Sequence, residues 1–104
     1  MNQLLLSLIL VGAAGDVSSQ PAVKIVNDSY QPATLTIAAG QTVMFTNADD
    51  DAHTVTAVDG TFDSRGLDTG GVWHHTFTKP GTYKYFCQMH PFMKGTIIVK
   101  AVGQ

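Results

Sequence analysis

What most constrains this chain is how few helix formers it has. Beyond residue 15, Leu occurs only at Leu35 and Leu67, and Glu is absent from the whole sequence. Val, Ile, Thr and aromatic residues take their place. Such side chains lose rotamer freedom against a helical turn but pack well on a pleated surface, so strands are favoured. The pattern predicts strands at Ala22–Asn27, Thr34–Ala38, Gln41–Asn47, His53–Val58, Val72–Thr78, Thr82–Cys87 and Thr96–Lys100. Alternation assigns their faces. Leu35 and Ile37 oppose Thr34 and Thr36. Trp73, His75 and Phe77 oppose Val72, His74 and Thr76, and Tyr83, Tyr85 and Cys87 oppose Lys84 and Phe86. Turn signals at Ala39-Gly40, Asp59-Gly60, Gly70-Gly71 and Lys79-Pro80-Gly81 separate the runs. Seven or eight short strands at this spacing imply an all-β antiparallel sandwich or barrel. Thr61–Thr69 has no clean period and is expected to be a loop or a single helical turn.

With 104 residues the chain has room for one compact domain. Eight acidic and six basic side chains give a net charge of −2, with no Lys/Arg cluster. The electrostatic footprint of a nucleic-acid binder is therefore missing. The first fifteen residues carry no charge. They contain the apolar run Leu4-Leu5-Leu6-Ser7-Leu8-Ile9-Leu10-Val11, followed by the small residues Gly12-Ala13-Ala14-Gly15. This reads as a secretory signal peptide, although the n-region lacks Lys or Arg, with a retained surface helix as the alternative. The run is too short for a membrane span, which needs about 20 apolar residues. The division expected is a leader over residues 1–15 and a domain over 16–104, exported to the periplasm or beyond.

Cys87 is the only cysteine, so no intramolecular disulfide can form. A lone thiol in an oxidising compartment is protected by burial or by metal ligation. It opens the run Cys87-Gln88-Met89-His90-Pro91-Phe92-Met93. Thiolate, imidazole and thioether on one short loop form a soft donor set suited to copper. A blue-copper site requires a second imidazole, and His53, after the loop Ala48-Asp49-Asp50-Asp51-Ala52, is the best-placed candidate.

The segment Gly81–Gly95, together with Val43-Met44-Phe45-Thr46-Asn47 and His53-Thr54-Val55, resembles the type 1 blue copper cupredoxins. Within them it is most similar to the amicyanin subgroup, which shares the Cys-x-x-His-x-x-Met spacing and the His-Pro-Phe-Met run. The resemblance spans about residues 22 to 100. It implies a Greek-key β-sandwich holding one copper ion (Cu²⁺/Cu⁺), with His53, Cys87 and His90 as equatorial ligands and Met93 as axial ligand. It also implies a carrier of single electrons between transient protein donors and acceptors, and a monomer is the default. Asn47 belongs to the matching segment beside the first ligand. Two positions depart from the family. Thr54 stands where many members have Asn, leaving its backbone N–H to reach the Cys87 sulfur. Met89 stands where the subgroup has Pro and regains a backbone donor that could bond the same sulfur.

Pro91 and Phe92 are expected to form an apolar patch around the His90 edge, where electrons leave and a redox partner docks. His74 and His75 point to opposite faces of one strand and cannot readily share an ion. Asp49-Asp50-Asp51 lacks the spaced ligands of a calcium loop and reads as a solvated acidic loop. Met44 and Met89 read as packing residues, and Phe86 as an ordinary exposed aromatic. An enzyme with Cys87 as nucleophile finds no oxyanion hole or substrate motif. The alternative function is a copper carrier or sensor holding the metal as cargo.

Overall fold

A computed structural model describes residues 20–103, so the expected leader at residues 1–15 lies outside the described residues. Among the described residues eight strands follow in order: β1 (Ala22–Val26), β2 (Ser29–Gln31), β3 (Thr34–Ala38), β4 (Thr42–Asn47), β5 (Thr56–Ala57), β6 (Val72–Thr76), β7 (Gly81–Phe86) and β8 (Lys94–Lys100). No helix occurs among the described residues, and none is therefore long and apolar enough to cross a membrane. The strands form two four-stranded sheets, ordered β2-β1-β4-β6 and β3-β8-β7-β5.

The all-β sandwich matches the expectation from composition, but the expected antiparallel arrangement holds only in part. β1 runs parallel to β4, with Ala22 opposite Met44 and Ile25 opposite Asn47, and β3 runs parallel to β8. The reason lies in the connections. The chain leaves the first sheet after β2, builds β3 into the second, and returns as β4. The excursion through the opposite sheet serves as the crossover that parallel neighbours need.

Two further differences bear on the metal end. The short strand β2 was not expected. It pairs with β1 through a two-residue turn at Asn27-Asp28, whose φ angles are 54° and 53°. Asn and Asp tolerate this left-handed geometry, which matches the twist of a tight hairpin. The run His53–Val58, expected to be one strand, pairs in a ladder only at Thr56–Ala57. His53 forms an isolated bridge with Leu67, and Thr56 one with Asp63. All of His53–Ala57 is buried, because the Thr61–Thr69 stretch lies over it as an extended loop with no helical turn.

On β3, β6 and β7 the inward residues follow the predicted alternation. Val23, Ile25, Ile37, Val43, Phe45, Phe77, Tyr85, Ile97 and Val99 form the core between the sheets. Removing each such side chain from water contributes about 1.5–3 kcal/mol. Tyr85 packs edge-on against Tyr30 and Phe45, with ring centroids 4.7 and 5.7 Å away. Its ring crosses the cross-strand partner Gly95, occupying the place a Cβ there would take.

Candidate metal centre

Cys87 directly follows β7 and Met93 directly precedes β8, so an antiparallel strand pair delivers both ends of the motif to one edge of the sandwich. The loop between them is closed by its own backbone. His90 N–H donates to the Cys87 carbonyl at 3.2 Å, Met93 N–H to the His90 carbonyl at 2.8 Å, and Cys87 N–H to the Met93 carbonyl at 3.3 Å. Each leg of the Cys-x-x-His-x-x-Met spacing is thus one i to i+3 turn, and the last bond ties the two ends together.

The second histidine arrives from a different segment at the same end of the sandwich. His53 N–H donates to Leu67 O at 3.1 Å and Leu67 N–H returns to His53 O at 2.8 Å, so its backbone is held without a regular strand. The His53 and His90 Nδ1 atoms each lie 3.7 Å from Cys87 Sγ. One ligand atom from each of the three residues falls within 4.8 Å of the others. Met93 is 2% exposed and sits in the core beside them, while His53 and Cys87 are fully buried. The structure therefore brings the His53, Cys87 and His90 donors together, and the Cys87–Met93 backbone bond keeps the buried Met93 at the same end of the sandwich.

The surrounding polar groups act on this set in a definite direction. Thr54 N–H donates to Cys87 Sγ at 3.3 Å. Burial pushes the Cys87 thiol up, but the Thr54 N–H, the His53 and His90 rings and the Met89 N–H outweigh it and bring the thiol down to about 7. Burial also works against a charged His53, and the contacts with Cys87 and Asp49 reverse that to raise it. Thr54 does more than its backbone suggested. Its hydroxyl accepts Gln88 N–H at 2.9 Å, so a threonine supplies the side-chain link between the two ligand-bearing loops. Asn47 is fully buried. It donates to the Asp51 and Leu67 carbonyls at 2.8 Å each and accepts Asp49 N–H at 2.9 Å, fixing the loop before His53.

Reading Asp49 as part of a merely solvated loop missed its role. Its carboxylate accepts His53 Nε2–H at 2.8 Å, Asn27 N–H at 3.0 Å and Asp28 N–H at 2.9 Å. One side chain thus secures the β1–β2 turn and holds His53 as the tautomer whose Nδ1 lone pair faces the thiol. The available signal was a carboxylate four residues before a ligand candidate, but the hairpin turn it also caps comes from a distant strand. The Met89 side chain corrects a second expectation. It is 48% exposed and not packed, and with Phe92 at 68% and the exposed Pro91 it forms an apolar surface beside the partly exposed His90. The His90 and Phe92 ring centroids are 5.9 Å apart. His74 and His75 do face opposite ways: His74 is exposed, whereas His75 stacks on Trp73 at 5.1 Å.

The donors present, one low-lying thiol, two imidazoles and a thioether residue, all but His90 buried, fit a soft transition metal and copper in particular. A β-sandwich carrying this donor set at the end of its last two strands is the architecture of small copper proteins. Residues 3–99 match the family model of the cupredoxin-like domain, and the chain belongs to that family. It is 33% identical to amicyanin-alpha of Methylorubrum extorquens, over 88% of this chain and 85% of that one. It is 34% identical to amicyanin of Paracoccus versutus, over 85% of this chain and 71% of that one. Among solved structures it resembles a point mutant of amicyanin in its reduced state, with a TM-score of 0.75 and 30% identity, covering 80% and 84% of the two chains. A purple cupredoxin from Nitrosopumilus maritimus gives 0.73 and 33%, covering 78% of this chain and all of the other.

Proposed function

We propose that this chain is a small blue copper protein that carries single electrons between redox partners. His53, Cys87, His90 and Met93 would hold the copper ion. Held there, copper would supply a reversible Cu(II)/Cu(I) couple. The observation that supports the reading most directly is the convergence of the His53 and His90 Nδ1 atoms on Cys87 Sγ, both at 3.7 Å. The protein's own part is to hold these donors still. The closed backbone of the ligand loop, the Thr54 link and the Asp49 anchor of His53 resist rearrangement when the charge at the site changes.

Four protein donors leave no open coordination position for a substrate, which favours a carrier over a catalyst. A copper-containing nitrite reductase from Thermus scotoductus shares the fold at 35% identity, but this chain covers only 22% of it. The exposed Met89, Pro91 and Phe92 around His90 suit a brief, small contact through which an electron passes, so donor and acceptor use one face in turn. Export to the periplasm and a monomeric state complete the reading, the first resting on the apolar run at residues 4–11 within the expected leader at 1–15.

The test is the visible and EPR spectrum of the full chain after one equivalent of Cu(II). An intense thiolate-to-copper band with small parallel hyperfine splitting is expected. A pale Cu(II) spectrum, or oxidation of Cys87 without a stable complex, overturns the proposal. Rapid loss of Cu(I) to a modest chelator, with no reversible voltammogram, would replace it with a copper carrier.

A further inference from the structure

On the outer face of the second sheet, immediately behind the ligand loop, four side chains project together. Lys84 and Phe86 of β7 alternate with the inward Tyr85, and Lys94 and Thr96 of β8 flank the inward Gly95. The register sets Lys84 opposite Thr96 and Phe86 opposite Lys94. Val58, 67% exposed, closes one side, its N–H held by the Lys84 carbonyl at 2.9 Å, and Pro91 of the ligand loop closes the end. These residues enclose a groove of about 490 Å³.

Its chemistry departs from that of the whole molecule. The chain carries a net charge of −2, yet no carboxylate lines this groove. Among the described residues, neither lysine is in an ion pair, since the only such contacts are those of His53 with Asp28 and Asp49. The carboxylates near the metal end gather instead at the histidines, Asp28 and Asp51 lying close to His90. Two exposed ammonium groups above apolar walls make a site for an acidic chain that also brings an apolar side chain. Pro91 belongs both to this groove and to the exposed surface around His90, so a partner seated on one reaches the other.

We infer that the groove formed by Lys84, Phe86, Lys94, Val58 and Pro91 receives an acidic segment of the redox partner and so orients that partner over His90. The inference rests on the electron-carrier reading for the identity of the partner and on the groove itself for the chemistry of the segment. A partner docked this way meets carboxylates near His90 and ammonium groups beyond Pro91. That polarity allows one orientation and resists the reversed one.

The experiment is an amide NMR titration of the full chain in its Cu(I) form with the pentapeptide Asp-Asp-Phe-Asp-Asp, beside Lys-Lys-Phe-Lys-Lys as control. Shifts from the acidic peptide should centre on Val58, Lys84, Phe86, Lys94 and Thr96, and should shrink as salt rises from about 20 to about 200 mM. They should disappear in the Lys84→Gln/Lys94→Gln double variant, while the basic peptide leaves the groove unshifted. Shifts elsewhere, shifts that survive the double substitution, or no shifts at all would overturn the groove. The two proposals fail separately. If copper gives no thiolate band, the electron-carrier reading falls while the peptide map, recorded on the metal-free chain, still decides the groove. If the band is present and the map fails, only the groove is lost.

Discussion

Around the candidate centre, single atoms decide the chemistry. Met89 has a backbone N–H that proline lacks, and that N–H helps hold the Cys87 thiol low. Drawing charge off the sulfur stabilises Cu(I) over Cu(II), so Met89→Pro should lower the reduction potential measured by voltammetry. An unchanged or higher potential would contradict this account. Asp49 acts through His53. Its carboxyl is held below the ordinary carboxylate range chiefly by the Asp28 N–H, against some burial, and then by His53 and the Asn27 N–H. A carboxyl depressed in the folded state contributes stability above its unfolded value and loses it as pH falls through the folded one. The metal-free chain should therefore lose urea resistance below about pH 4, and Asp49→Asn should flatten that loss. Equal acid sensitivity in the two proteins would remove Asp49 from the account.

At the scale of elements, the pairing of β7 with β8 sets the metal end, because it delivers Cys87 and Met93 side by side. The pairing depends on a glycine. Tyr85 is 1% exposed, and its ring fills the space a Cβ on Gly95 would need. Gly95→Ala forces the ring or the strand to move, a kind of overpacking that costs about 1–3 kcal/mol. Chemical denaturation should register that loss, and displacement of β8 should also broaden the visible band of the copper-loaded protein. A Gly95→Ala chain with wild-type stability would show that Tyr85 has room to move. The Tyr85 hydroxyl is buried without a partner among the described residues, and burial pushes its pKa up. The ring therefore sits there for its shape and not for its polar end.

For the molecule as a whole, metal and fold are linked. The ligands come from the His53 loop and from the β7–β8 connection, with His53 and Cys87 34 residues apart in sequence, so a metal that joins them binds the native state far better than the unfolded chain. At a free copper concentration about 1,000 times its dissociation constant, the native state gains about 4 kcal/mol. The melting temperature should therefore rise on copper loading, and Cys87→Ser should lose most of that rise. A rise equal to wild type in the variant would mean that copper stabilises the chain from another place.

What could be read in the sequence was whatever depends on local rules. Period-2 alternation gave the inward faces of Thr34–Ala38, Val72–Thr76 and Gly81–Phe86, because a strand's two faces are set by the strand itself. The spacing of Cys87, His90 and Met93 was legible because each leg is a single backbone turn. The hairpin at Asn27-Asp28 was not legible, because a three-residue strand is too short for alternation to reveal. The parallel pairs β1–β4 and β3–β8 were not legible, since direction depends on which sheet each connection enters. Nor was the irregular backbone at His53, which takes its hydrogen bonds from Leu67, or the Asp49 carboxylate that joins it to a turn more than twenty residues earlier. The sequence by itself determined an all-β chain with a soft donor motif. Only the tertiary structure decided how His53 is held, what orients its ring, and that two lysines on neighbouring strands line one groove, because these depend on contacts between segments that share no local code.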